Sequence, residues 1–353
     1  MLSQKTLDKF RQELDECQRP LYFFDDDPDG FCAFLLLYRY KREGRGIPVK
    51  SSSLNTKFIN PIKHYEPDKI FVLDVPVIEQ EFLEQMRERK MPVVWLDHHG
   101  PAEKEKSSLT RYFNPKNEDM KDTSSTTVNA YGATRNEKDL WIGMVGAVGD
   151  WQLPEYAEEF TKQHPELLPA GITQPEVALF KTPLGKLVKR ISFMLKGSTT
   201  AVHKCIKIMT RIEHPDELMK ETTARGKFLM NHAGRIEKQY DELFAQAHEA
   251  IKKTKEHVAV FTYEDDRTSF TKELSNEFIF LYPKKVIIIG RRRGDEMKMS
   301  MRTAKEDLPS LLPKAFEGIE GYGGGHLHAC GACVKIRDFE TFLKQFKEAV
   351  EKK

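Results

Sequence analysis

Three short apolar runs, each closed by acidic residues, constrain this chain more than anything else in it. Residues 21–24 (Leu-Tyr-Phe-Phe) lead into Asp25-Asp26-Asp27-Pro28-Asp29-Gly30. Residues 70–73 (Ile-Phe-Val-Leu) lead into Asp74, and residues 93–96 (Val-Val-Trp-Leu) into Asp97-His98-His99. A half-exposed strand would alternate apolar and polar residues, so unrelieved runs of this kind suit strands buried on both faces of a parallel sheet. Helical patterns separate them. One covers residues 30–41, with Gly44 and Gly46 to end it, and another covers residues 78–89. This strand–helix–strand repetition predicts an α/β, doubly wound domain.

The acids have a functional meaning in such a fold. The carboxyl ends of parallel strands line one edge, where ligands bind, so residues distant in sequence converge there. Clustered carboxylates repel one another unless cations hold them. Oxygen-rich ligation with a minority of imidazole suits Mn²⁺ or Mg²⁺, and the histidines favour Mn²⁺. Asp150, just after the small apolar helix of residues 140–148, offers a fourth acidic position. The bland alternatives are a solvated loop or helix cap for residues 25–29 and a surface pair for His98-His99. Repetition at three strand ends favours the site.

At 353 residues the length argues for two domains. Residues 123–253 read as helical, with Thr182-Pro183 opening a helix that runs to residue 195. The charged stretch of residues 222–252 carries Phe228, Leu229, Ile236, Tyr240, Leu243 and Phe244 as a packing stripe, which reads as a connector. Beyond residue 255, strands are expected at residues 258–261, 278–282, 286–289 and 333–336 in a smaller domain. Residues 321–331 (Gly-Tyr-Gly-Gly-Gly-His-Leu-His-Ala-Cys-Gly) read as a loop whose glycines let backbone N–H groups reach a phosphate. Residues 284–306 hold 8 Lys and Arg against 3 Asp and Glu, among them Arg291, Arg292, Arg293 and Arg302. Arginine suits bidentate phosphate recognition. A zinc site from His326, His328, Cys330 and Cys333 is the minority alternative, since all four crowd into eight residues. The five cysteines are an odd, scattered set that fits a reducing compartment, and four of them read as apolar fillers.

The order and spacing of Asp25-x-Asp27-x-Asp29-Gly30, Asp74, Asp97-His98-His99 and Asp150 resemble those of the DHH phosphoesterases. That superfamily includes RecJ-type single-strand exonucleases, nanoRNases that also act on adenosine bisphosphate, cyclic dinucleotide phosphodiesterases and some pyrophosphatases. An aspartate opens the first motif, where the nanoRNase and pyrophosphatase branches carry histidine, so the chain looks like a compact, archaeal-style RecJ relative. The glycine-rich segment ending in His326, preceded by Ser300-x-Arg302, resembles the DHH-associated domain. The resemblance implies a DHH catalytic domain over residues 1–195, a helical connector over 196–254 and a DHH-associated substrate-binding domain over 255–353, with the active site in the cleft between the two domains. It implies two divalent ions, held by Asp25, Asp27, Asp29, Asp74, His98 and Asp150. Asp97 would orient the neighbouring histidine, and His99 would face the scissile phosphate. Arg302, Gly323, Gly324, Gly325 and His326 would hold the substrate. The implied activity is hydrolysis of single-stranded DNA or RNA, or of short oligonucleotides, to nucleoside 5′-monophosphates. A small-nucleotide phosphodiesterase or phosphatase, and a non-catalytic replication or repair scaffold, are the alternatives.

Composition narrows the partners. The longest fully apolar run, residues 31–38, falls well short of the ~20 residues a bilayer span needs. With 56 basic residues against 54 acidic ones, bulk charge argues against a protein that coats nucleic acid. Met1-Leu2-Ser3-Gln4-Lys5 lacks a hydrophobic signal region, which suggests a cytoplasmic protein. No membrane partner is expected, and the resemblance implies a single-stranded nucleic acid or short oligonucleotide as substrate, with room for a replication or repair protein as partner.

Overall fold

In the computed structural model, which describes residues 1–51, 53–100, 109–264 and 268–351, the N-terminal acids hang from a parallel sheet. The first of two units, Met1–Gly234, carries β1 (Pro20–Asp25), β2 (Arg45–Val49), β3 (Ser53–Leu54), β4 (Lys69–Leu73), β5 (Val77–Ile78), β6 (Val93–Leu96) and β7 (Thr110–Phe113). Five of these form one sheet in the order β2-β1-β4-β6-β7, every pair parallel. β3 and β5 make a separate two-stranded ribbon. After β1 the chain steps outward to β2, then returns to the other side of β1. Strand order therefore reverses between β1 and β4, where doubly wound sheets open a crevice at their carboxyl edge. Asp25 ends one of these strands and Asp74 follows the other.

Both faces of the sheet are buried, which is why the three runs do not alternate. Leu21, Phe23, Ile70, Val72, Val93 and Trp95 pack on one side against Ile59, Ile62, Phe82, Leu83 and Met86 of the following helices. On the other side Phe24 stacks on Phe34 at 4.9 Å, and Phe10 meets Phe71 edge-on at 6.2 Å. The first helix after β1 starts at Pro28, earlier than the expected Gly30, and Gly46 lies inside β2 rather than ending the helix. Pro48 hides that strand in the sequence, because proline is tolerated only where a strand lies at an edge. The second expected helix is shorter, Gln80–Glu88.

The middle of the chain is helical, as expected. Pro183–Met194 is capped by Thr182, whose hydroxyl accepts from the Gly185 amide at 3.2 Å. The long helix is Ala224–Lys253; residues 196–234 fall in the first unit and residues 235–254 in the second. Among the described residues, no helix is long and apolar enough to cross a membrane.

The second unit, Arg235–Lys353, holds β8 (Val258–Tyr263), β9 (Val286–Arg293), β10 (Glu296–Arg302), β11 (Gly321–His326) and β12 (Ala329–Lys335). Their order is β11-β12-β10-β9-β8, antiparallel except for β8 beside β9. Two expectations are corrected here, and the minority zinc alternative falls with them. Residues 278–282 are not a strand, because Phe278 belongs to the helix Thr271–Leu281 and stacks on Phe244 at 4.9 Å. Buried Leu274 and Phe278, four residues apart, give that segment a helical period which its aromatic richness masks. Residues 321–326 are a strand rather than a loop, paired with β12 along their whole length. The Cys-x-x-C pair cannot share one zinc ion, since residues three apart on a strand point to opposite faces. All five cysteines are buried and none is in a disulfide.

One buried ion pair anchors the helix that follows β1. Arg39 Nε donates to Asp139 Oδ1 at 2.6 Å with both side chains buried, and Arg39 Nη1 donates to the Ile212 carbonyl at 2.7 Å. Asp139→Ala leaves a buried guanidinium without its main counter-charge, and the expected loss is about 3 kcal/mol of folding free energy. Urea unfolding of the two proteins measures it, and a loss below about 0.5 kcal/mol contradicts the anchoring role.

Candidate metal centre at the carboxyl edge of the first sheet

The first motif is built around the junction of β1 with the helix Pro28–Lys41. Asp27 caps that helix, its Oδ1 accepting from the Gly30 amide at 3.1 Å, while Pro28 takes the first helical position, where its missing N–H costs nothing. A β-carbon at residue 30 would lie 2.7 Å from both the nitrogen and the carbonyl oxygen of Asp25. Glycine is therefore what lets the helix seat directly on the strand end that carries Asp25.

Asp29 is buried and faces the start of the helix Thr126–Thr134. Its two carboxylate oxygens accept from the Thr126 amide at 2.9 Å and the Thr127 amide at 2.7 Å. The Thr127 hydroxyl returns to the Asp29 carbonyl at 2.6 Å. Amides at a helix N-terminus point outward without intrahelical partners, so they orient an anion placed there. The same Thr126 donates its hydroxyl to Asp74 Oδ1 at 3.1 Å, so one residue positions two acids.

Asp74 sits just past β4 with φ 61°, in the left-handed region that aspartate tolerates better than most residues. Its amide donates to the Leu96 carbonyl at 3.0 Å, which continues the sheet by one step. The residue is 2% exposed. Burial, and then the nearby carboxylates of Asp29, Asp27, Asp25 and Asp150, push its carboxyl well above the usual range.

The third motif divides its labour. His98 Nε2 lies 3.3 Å from Asp74 Oδ1 and 3.8 Å from both Asp29 Oδ2 and Asp150 Oδ2. Asp97 is fully buried, and its Oδ1 lies 2.6 Å from Nδ1 of His99, the second of the two histidines. Its other oxygen accepts from the Tyr112 hydroxyl at 3.1 Å. Burial and the Asp97 charge raise the Tyr112 phenol, so it stays a donor. Asn114 donates to the His99 carbonyl at 2.9 Å and holds that turn. Asp150 follows the helix Leu140–Gly149, and its Oδ2 accepts from Gln152 Nε2 at 3.1 Å.

Three sets of donor atoms, each within 4.8 Å, could hold a metal ion: Asp25, Asp27 and Asp74; Asp29, His98 and Asp150; and Asp74, His98 and His99. All the N-terminal candidates except Asp97 fall in these sets, and Asp97 acts on His99. Sequence reasoning alone misses Thr126, Thr127, Tyr112, Asn114 and Gln152. The run Ser124-Ser125-Thr126-Thr127, ahead of an apolar stretch, is the one signal it offers, since such residues cap helices.

The remaining candidates belong to the second unit. Arg302 ends β10, its Nε donating to Asn276 Oδ1 at 2.6 Å and its Nη1 to Ser300 Oγ at 3.2 Å. Burial pushes the guanidinium down to about 10, far above neutrality, so it stays charged. Gly323, Gly324, Gly325 and His326 all lie in exposed β11. A β-carbon at Gly323 would meet the Gly331 carbonyl at 2.9 Å, whereas one at Gly324 would meet nothing within 4 Å among the described residues.

Comparison with known proteins agrees with this layout. The model of the DHH family N-terminal domain matches residues 21–171, and that of the DHHA1 domain matches residues 255–352. RecJ from Thermus thermophilus in complex with Mn²⁺ is 14% identical with a TM-score of 0.71, over 99% of this chain and 55% of that one. The chain thus spans little more than half of that relative. Exonuclease RecJ bound to manganese is also 14% identical, with a TM-score of 0.67 over 99% of this chain and 96% of that one. The Thermus protein with Mg²⁺ gives 13% identity and a TM-score of 0.62 over 98% and 52% of the two chains. Identities this low establish a common fold. No curated protein sequence matches significantly.

The repulsion on Asp74 has a measurable sign. Because its folded pKa is raised, its contribution to stability is complete below the unfolded carboxyl value of ~3.9 and is lost as pH rises through the folded value. In EDTA at pH 8, Asp74→Asn is expected to melt about 2–4 °C above the unaltered protein, with the gap closing towards pH 4. Mn²⁺ should reverse the order, since only the acid gains from the ion. Thermal melts at both pH values check this, and an Asn variant that melts lower in EDTA at pH 8 contradicts it.

Proposed function

Because this chain belongs to the DHH family, with its DHH and DHHA1 domains in one polypeptide, we propose that it is a metal-dependent exonuclease. Its substrates are single-stranded DNA or RNA, or short oligonucleotides, and its products are nucleoside 5′-monophosphates. The observation that carries the reading is that three overlapping donor sets, each spanning no more than 4.8 Å, gather at one strand-order reversal, with no expected acid missing.

The residues fit divalent cations. Burial, and then the carboxylates packed around it, raise the proton affinity of Asp74, and a cation at the cluster would offset both. Five carboxylates with imidazole favour Mn²⁺, with Mg²⁺ as the alternative. Asp25, Asp27 and Asp74 would hold one ion, and Asp29, His98 and Asp150 a second. When bound, such ions withdraw charge from phosphoryl oxygens and acidify water.

The chain's own groups supply the rest. Asp97 on Nδ1 of His99 fixes the orientation of that ring, which would face the scissile phosphate. Tyr112 and Asn114 keep that pair in place. In the second unit the Arg302 guanidinium, the amides of Gly323, Gly324 and Gly325, and His326 would hold a substrate phosphate. Among the described residues Arg302 Nη2 has no hydrogen-bond partner, which leaves it for a phosphate oxygen.

A substrate panel with Mn²⁺ tests this: end-labelled DNA and RNA of graded length, cyclic dinucleotides and adenosine bisphosphate. The expected result is stepwise shortening of the oligonucleotides, abolished by EDTA. Direct ligands outrank the supporting groups whose loss costs 10–100-fold, so Asp74→Ala and His98→Ala are each expected to lower kcat at least ~100-fold. Hydrolysis of the small nucleotides alone would remove the exonuclease reading. Tight Mn²⁺ binding with no hydrolysis of any substrate would favour a replication or repair scaffold.

A further inference from the structure

The register of the second sheet decides which side chains share a face, because directly opposed residues on neighbouring strands project to the same side. Arg302 is opposite Ala329, and Ala329 is opposite His326. Two residues further along each strand, Ser300, Gly331 and Gly324 form the next row. Two further again, Lys298, Cys333 and Tyr322 form a third, continued by Arg291 on β9. The opposite face is closed by Met297, Met299, Met301, Cys330, Ala332 and Val334 in the core. On the near face Ser275 of the helix Thr271–Leu281 reaches Ser300 at 2.9 Å, while Gly331 and Gly324 beyond it stay exposed.

The outcome is a floor of Gly331, Gly324 and Ala329 with functional groups at both ends. Arg302 and His326 stand at one end, Lys298 and Tyr322 at the other. Four residues of strand separate the ends, ~13 Å at ~3.3 Å per residue. Tyr322 is 66% exposed and stands directly opposite Cys333 of the adjacent strand. Lys298 Nζ lies 4.0 Å from Glu296, at the limit of an ion pair, while Lys335 pairs chiefly with Asp295 at 2.9 Å. Glycine rows permit close approach of a sugar–phosphate backbone. An exposed aromatic ring in the same row as a cation is the pairing that stacks a base and meets its phosphate.

We propose that Lys298 and Tyr322 form a second nucleotide subsite. A strand whose terminal phosphate is held at Arg302 and His326 runs along the glycine floor, stacks a base on Tyr322 and places a backbone phosphate at Lys298. The inference rests on the exonuclease reading and sharpens it, since the substrate must be an oligonucleotide long enough to cross the floor.

The test uses the full chain. Fluorescence anisotropy in EDTA, where no hydrolysis occurs, gives Kd for labelled single strands from dinucleotide to octanucleotide. Affinity of the unaltered protein is expected to climb with length until the strand reaches Tyr322. In Tyr322→Ala that climb should stop short, leaving the longer strands about 5- to 100-fold weaker. Tyr322→Phe, which keeps the ring, should restore the climb. Lys298→Ala should reduce the slope of log Kd against log salt by about one. Equal weakening at every length, or no effect of either alanine, overturns the subsite while leaving the exonuclease reading intact. If the unaltered protein binds no single strand yet hydrolyses cyclic dinucleotides or adenosine bisphosphate, both fall together.

Discussion

Like charge held together is the condition to which the first unit is built. Asp25, Asp27, Asp29 and Asp150 crowd around Asp74, and nothing about isolated carboxylates favours that arrangement. The surrounding structure supplies the constraint. Two amides at a helix start fix Asp29, and the Thr126 hydroxyl fixes Asp74. The close seat of Gly30 on Asp25 leaves the first motif little room to relax. A sheet buried on both faces then resists the outward push, because moving one strand end disturbs two layers of packing. Cations that bind this cluster would stabilise the fold and complete the site at once.

The legible part of the fold was the part whose sequence had a single physical reason. The runs at residues 21–24, 70–73 and 93–96 are apolar because helices cover both sides, and they appear as β1, β4 and β6. Edge strands obey weaker rules. β2 contains Pro48, and β11 is mostly glycine, so neither looks like a strand until its neighbour is known. β10 does alternate, with Met297, Met299 and Met301 inward, but its polar residues draw attention to charge instead of period. The site followed the same division. Acids at strand ends could be placed by the topology of a parallel sheet. Thr126, Tyr112 and Gln152 could not, because their roles come from elements that meet only in three dimensions.

The near balance of 56 basic and 54 acidic residues hides an uneven distribution. Carboxylates gather at one edge of the first sheet, and arginine and lysine gather on one face of the second. The two arrangements differ in kind. In the first unit, buried polar groups hold acids in fixed positions, a costly device that suits chemistry. In the second, exposed glycines and half-exposed cations make a shallow surface, which suits a chain that must slide or be released. A single-sign field over the whole molecule would have served neither purpose.

The left-handed backbone at Asp74 carries an evolutionary consequence. Asparagine is among the few other side chains at ease in that conformation, and it has nearly the same shape without the charge. One nucleotide change in a codon therefore separates a repelling acid from a neutral residue that the backbone accepts. A lineage released from selection for hydrolysis would drift readily across that step, keeping its fold and surfaces while the chemistry disappears. Folded descendants without activity are then a natural product of this architecture, reached by loss at a position where loss relieves strain.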